Sequence, residues 1–384
     1  MKSPFNQITI LVLLCSFFSC AEKTQSGNAP ITFSLKITDS VEIDHLGEMK
    51  LLDYEPKTEK YLLATEEPRE YLEVDWQGKI LNHNEFNRDG IDVVGRAVSL
   101  GYFNGDVTIF DFQKGYFRFQ DSTKIGEITL PYDYDVFLPN PKLGLFESGN
   151  KIYYPKPVPN SLMANHAEEN MFQLMYDLPI IESQDKTTGD TLSALRLPET
   201  SEVFDNQVHG FLMPVYTIDK DKLLLSIGIE PKFYVYNKEE DQFVYSKTVE
   251  VTIPDWVGYT PVPMDKPEKF FEEIRKIRPG NLGNIFAVGD YYLVIYHSGI
   301  SEEELAQLDP STRYGVGALK KDPYYAAIFD KDFNQLATNV PFPITSNYPM
   351  VVNNERELVV SKVAGLSETE DDGIILYKLK LTNE

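Results

Sequence analysis

Six short apolar runs recur along the chain: residues 60–65 (KYLLAT), 106–111 (DVTIFD), 151–154 (KIYY), 222–226 (KLLLS), 291–296 (YYLVIY) and 357–361 (ELVVS). Each is too short for a buried helix, and most carry β-branched or aromatic residues, so each reads as a strand. A second, alternating strand and a polar turn follow. The clearest such pairs are 71–75 (YLEVD) before WQGK, 233–236 (FYVY) before NKEED and 324–329 (YYAAIF) before DKDFN. Weaker copies are 116–119 (YFRF) before QDSTK, and 171–176 (MFQLMY), read as a strand before a long hairpin ending at Leu195. Strands joined by polar turns at such intervals form antiparallel hairpins.

Repetition of small antiparallel sheets along a chain is the pattern of a β-propeller, in which each repeat is one blade. The expected fold is therefore all-β, a six-bladed propeller. A copy length of about 60 residues against the usual 40–50 implies insertions, or seven blades as the alternative. Residues 31–37 (ITFSLKI) have no partner before them, and residues 373–381 (GIILYKLKL) have none after them. Pairing the two in one blade would close the ring and remove two exposed sheet edges.

Two helical insertions are expected beside the fifth blade. One starts near Asp265 and Pro267, runs through Phe270, Phe271, Ile274 and Ile277 on one face, and stops at Pro279 and Gly280. The other opens on Ser301 and Glu304, spaced as a capping box, with Ile300 and Leu305 placed to staple it.

The N-terminus carries a different signal. Met1 and Lys2 give a positive start, residues 8–18 are uninterruptedly apolar, and Ser19-Cys20 is followed at once by polar residues. An apolar core of that length suits an export signal, whereas a membrane span needs about 20 apolar residues. Phe17, Phe18, Ser19 and Cys20 resemble the bacterial lipobox. Cys15 follows Leu14, a poor residue for a signal-peptidase cut. The expected organisation is a signal peptide over 1–19, a lipidated tether over 20–30 with acyl chains on Cys20, and one propeller domain over 31–384. The two cysteines then leave no free thiol and no disulfide in the mature chain.

Composition narrows the partners. Charged residues make up 25% and the formal net charge is −23, with no Lys/Arg cluster to offset it. Such a surface repels phosphate backbones, so no nucleic acid partner is expected, and membrane contact should come through the acyl chains on Cys20. The two tryptophans, Trp76 and Trp256, make a carbohydrate-stacking platform of that residue type small.

No G-x-S-x-G elbow, H-E-x-x-H pair or P-loop occurs, and the glycines at 315 and 317 lack phosphate-loop spacing. Of the five histidines, His45, His83, His166, His209 and His297, none has another within four residues. His209 leads into a strand expected to line the central channel, and Arg96 has a similar place in the second blade. Asp330, Asp332 and Asn334 match the start of a calcium loop. Gln335 and Pro341 then stand where that loop needs Gly and a bidentate Glu, so the segment reads as a hairpin turn. The acidic group Glu368, Glu370, Asp371 and Asp372 reads as a solvated loop.

The lipobox-like residues, the acidic aromatic-rich body and the six degenerate repeats resemble the propeller lipoproteins of unknown function of Bacteroidetes-type bacteria. In the broad sense they are similar to TolB-like, NHL-like and sugar-lactonase-like propellers. The resemblance implies a lipid-anchored cell-envelope protein, in the outer membrane, that binds or scaffolds an envelope protein, peptide or glycan. A non-enzymatic role without a cofactor or metal is expected. The alternative is a metal-dependent hydrolase of the sugar-lactonase-like type, whose cation ligands correspond to no numbered positions here.

Overall fold

A computed structural model describes residues 32–86, 94–135, 140, 142–161, 171–310, 315–343, 350–363 and 373–383. Residues Phe33–Thr382 form one compact unit. It contains six four-stranded antiparallel sheets, each a blade. Blade one is Lys50–Glu55, Lys60–Ala64, Glu70–Val74 and Ile80–Glu85; blade two is Ala97–Phe103, Asp106–Asp111, Gly115–Gln120 and Thr123–Ile128. Blade three is Phe146–Ser148, Lys151–Pro155, Ile181–Asp185 and Thr191–Leu195; blade four is Val215–Asp219, Lys222–Ser226, Lys232–Glu239 and Gln242–Glu250. Blade five is Arg278–Val288, Tyr291–Ile300, Tyr325–Asp330 and Gln335–Pro341. Blade six is Val351–Val352, Leu358–Ser361 and Ile374–Asn383, completed on its outer edge by Phe33–Ile43 from the other end of the chain.

The burial of the second strands explains their spelling. Leu223 and Leu225 pack between blades three and four, whereas Leu224 packs between four and five. Likewise Tyr292 and Val294 face blade four, and Leu293 and Ile295 face blade six. A strand buried on both faces reads as a continuous apolar run, and a half-solvated outer strand alternates, as Ile80–Glu85 does. Six apolar clusters fill the six gaps between neighbouring blades, which makes the count six and not seven.

Hairpin chemistry recurs too. Asp75 Oδ1 accepts from the Gln77 and Lys79 amides at 2.9 and 3.0 Å, and Asp185 Oδ1 from Thr187 and Thr188 at 2.7 and 3.0 Å. Asp330 Oδ1 does the same for Asp332 and Asn334, at 2.9 and 2.8 Å. An aspartate at the head of the third-to-fourth-strand turn thus supplies the local turn signal in three blades.

Three expectations need correction. Residues 171–176 are not a strand; Met171–Asp177 is a helix whose Phe172 and Tyr176 are buried on one side. The period-two reading failed because the aromatics at positions 172 and 176 also satisfy the i, i+4 spacing of a helix face. The insertion at 265 is shorter than expected, a 3₁₀ turn over Pro267–Lys269 running into Phe270–Glu273. Pro279 and Gly280 do not stop it but lie in the first strand of blade five. Gly280 is required there because a Cβ would come within 2.7 Å of the Trp256 ring. The second insertion matches, with the Ser301–Glu304 capping box formed and Ile300 and Leu305 buried together. No helix of the described residues is long and apolar enough to cross a membrane. The signal and tether, residues 1–30, lie outside the described residues, as does Ile31.

Candidate functional site

Alternating strand direction sorts the connections between two faces. Turns joining first to second and third to fourth strands fall on one face, and all of them are tight, such as 104–105, 220–221 and 289–290. The opposite face carries the second-to-third connections and the crossings between blades. Every described helix lies in these, including Met171–Asp177, Phe270–Glu273, Glu302–Ala306 and Val316–Lys321. Two small sheets, Tyr134–Asp135 with Val158–Pro159 and Gln207–Val208 with Val262–Pro263, knit the same connections together. Exposed Leu46, Phe204, Met213 and Phe271 stand on this connection face, whereas the tight turns carry no exposed large apolar side chain. Ser34 bonds Thr382 and Thr38 bonds the Lys378 carbonyl, so Phe33–Ile43 runs antiparallel to Ile374–Asn383 and both ends of the unit lie on the turn face.

The first strands of neighbouring blades touch, 50–55 against 97–103 and 351–352, and 215–219 against 278–288, so they line the axis. Between blades one and three this lining is polar. Asp53 Oδ1 accepts from the Tyr54 amide at 2.8 Å and Oδ2 from the Tyr102 amide at 2.7 Å. Gly101 leaves room for the carboxylate, since a Cβ there would lie 2.8 Å from Asp53 Oδ2. Lys142, bridged in parallel to Leu100, brings its ammonium into the field of Asp53. Burial pushes the Asp53 carboxyl up, against the pull of the two amides and Lys142, and burial lowers Lys142. Tyr216 of blade four donates to the Gly144 carbonyl beside them. Asp53, Tyr102, Lys142 and Tyr216 are all half-buried.

At the blade-five end of the connection face, Asp322 anchors the insertion. It accepts from His297 Nδ1 at 2.8 Å and from the Ser298 and Gly299 amides at 3.1 Å, with Arg278 3.7 Å away. His297 and Asp322 are both buried, and the Tyr324 ring meets the imidazole edge-on.

The residues singled out in the sequence fare differently. His209 pairs with Asp205 at 2.8 Å in the crossing to blade four, and its amide receives no channel role but bonds the Tyr176 hydroxyl. Arg96 is exposed and stacks over Phe112 at 5.2 Å. His83 bonds Glu70 at 2.7 Å and meets His45 edge-on, so two histidines distant in sequence do come together. Trp76 donates to Asp39 at 2.6 Å under Lys378, binding blade one to blade six. Asp330 holds a hairpin turn. His166 and the acidic group at 368–372 lie outside the described residues, and so does Cys20. Among the described residues no group of three or more His, Cys, Asp or Glu is placed to hold a metal ion. Sequence reading missed Asp53, Lys142 and Asp322. Only the interruption of an apolar first strand by Asp53 signalled any of them.

This architecture is a six-bladed β-propeller closed by strands from both ends of the chain. No family model matches it, and no curated protein does. Among solved structures it is similar to a member of the DUF4221 family from Bacteroides vulgatus, at 12% identity and TM-score 0.65, covering 92% of this chain and 99% of that one. It also resembles a streptogramin B lyase, at 12% identity and TM-score 0.43 over 91% and 98% of the two chains. A protein of unknown function from Bacteroides caccae matches at 9% identity and TM-score 0.39, over 77% and 82%. The first likeness is one of fold, and it agrees with the resemblance to Bacteroides-type propellers of unknown function read from the repeats.

Proposed function

We propose that the protein is a lipid-anchored binding or scaffold protein of the cell envelope. Acyl chains on Cys20 hold it in the outer membrane, and its connection face takes an envelope protein, peptide or glycan. The asymmetry of the two faces carries this reading. One face gathers the described helices, the blade crossings and four exposed large apolar residues, whereas the other has only tight turns and the point where the anchor segment joins at Phe33. Loops raised on a rigid scaffold are where propellers and other superfolds place recognition.

Photo-cross-linking residues placed singly at Leu46, Met213 and Phe271, and at Lys220 and Glu240 on the turn face, test this in intact cells. Discrete adducts are expected from the first set only. Adducts from the turn face alone, or none, would refute the binding-face reading. Lactone turnover that chelation abolishes would replace it with the hydrolase alternative.

A further inference from the structure

We propose that the crossing from blade six to blade one, residues 44–48, is a proton-operated clasp. Charging His45 fastens the crossing to blade one through the Glu70 carboxylate that His83 already holds, and so fixes Leu46 on the connection face. The device does not depend on what that face binds, and its test reads the crossing itself.

The crossing lies between buried Ile43 and buried Met49, which pin its two ends. Asp44, Leu46, Gly47 and Glu48 are exposed, Leu46 by 86%, more than any other large apolar side chain described. His45 alone turns inward, its side chain 14% exposed. Among the described residues, the crossing's side chains make no polar or ring contact outside it except through His45. The His45 ring stands edge-on to that of His83, with centroids 5.8 Å apart. Both rings turn Nε2 toward one oxygen, Glu70 Oε1, which lies 2.7 Å from His83 and 4.0 Å from His45. One half of the clasp is therefore made, and the other stands about 1 Å short of a hydrogen bond.

Protonation decides the second half. A neutral His83 can meet Glu70 by presenting Nε2–H, and a neutral His45 gains little from the carboxylate at its present distance. An imidazolium carries a full charge and donates from both nitrogens, so it is drawn to a carboxylate already in line. The elements that meet here carry Asp44 and Glu48 on the crossing, Glu42 on blade six, and Lys50 on the first strand of blade one. They also carry Glu66, Glu67 and Arg69 before the third strand, and Glu85 on the outer strand opposite Glu70. Lys50 is taken by Glu66 at 2.9 Å and Arg69 by Glu67 at 3.5 Å, which leaves carboxylates in excess around the two rings. Acid therefore fastens the crossing and proton loss frees it, in the range where imidazoles titrate.

Nitrogen-15 relaxation of the purified full-length protein reads the crossing, and imidazole carbon shifts read the protonation of His45 and His83. The order parameters of Leu46 and Gly47 should rise from below about 0.6 near pH 8 toward about 0.85 near pH 5.5, in step with the His45 ring. His45→Gln should keep them low at both pH values. Glu70→Gln, which preserves the shape of the acceptor but not its charge, should do the same. His209→Gln, whose imidazole pairs with Asp205 elsewhere on the face, should keep the wild-type rise. Order parameters indifferent to pH in the wild type, or a rise that survives in either of the first two variants, would overturn the proposal. The wild type decides even where a variant does not fold, since a rise that follows a titration other than that of His45 also overturns it.

Discussion

The hydroxyls of Ser34 and Thr382 lie 2.8 Å apart, although 348 positions separate them in the chain. They join the outermost strand of blade six to its neighbour, so the ring is closed by the two ends of the propeller. Ordinary hairpins close the other blades, and only this one depends on chain ends meeting late in folding.

Removing residues 371–384 therefore deletes the strand Ile374–Asn383, including fully buried Leu376 and Leu379, and strips Phe33–Ile43 of its partner. Soluble expression should be lost, or the melting temperature should fall by at least about 10 °C. The single change Leu376→Ala should cost about 2–5 kcal/mol in denaturant unfolding. Unchanged melting of the truncated chain would mean that the termini do not hold the ring.

Much of this fold was legible because the second strands, buried on both sides, spell continuous apolar runs such as LLL at 223–225. The closing strand was legible because an edge needs a partner. The helix over Met171–Asp177 was not, since two aromatics four residues apart satisfy a strand and a helix equally. The candidate sites were less legible still. Asp53 takes the Tyr102 amide only where blades one and two meet, and His297 takes Asp322 only when the blade-five insertion folds back on its strand, and no local spacing records either.

Glu182 collects three donors in the packing of blade three: Lys156, Tyr132 and Tyr154, the last at 3.0 Å. Glu182→Ala would leave the ammonium of Lys156 buried without its carboxylate, and is expected to cost about 3–5 kcal/mol. Adding Lys156→Met should recover part of that loss, because the orphaned charge goes too. A double-mutant cycle in urea measures the coupling, and purely additive losses would show that the pair is not a unit.

Turn aspartates should shape the acid limb of the stability curve. The hydrogen bond from Asn334, set against slight burial and aided by backbone donors, lowers Asp330 from its ordinary 3.8, and the amides of Thr188 and Thr187 lower Asp185 from the same value. A depressed carboxylate contributes stability that is complete above the unfolded pKa and is lost as pH falls through the folded one. Carbonyl-carbon NMR should place both midpoints below 3.8. Asp330→Ala should flatten the stability loss below about pH 4 relative to wild type, after allowance for the lost turn. Ordinary midpoints would show that these turns do not hold their charges.

Asp322 should act as the latch of the blade-five insertion. Its carboxylate takes His297 Nδ1 and the Ser298 and Gly299 amides just before the chain leaves the sheet at Ile300, and it sits where the chain returns toward Tyr325. Asp322→Ala would orphan these donors at once, a loss of about 2–4 kcal/mol by the usual cost of unsatisfied groups. Because the acceptor sits on Nδ1, the neutral imidazole should carry its proton there, leaving Nε2 bare. Nitrogen-15 spectra should show that tautomer in the wild type and the opposite one, or a mixture, in the variant. Limited proteolysis should meanwhile cut between residues 301 and 321 faster in the variant, with the six blades intact. If the tautomer and the cleavage rate stay as in the wild type, Asp322 neither orients His297 nor fastens the insertion.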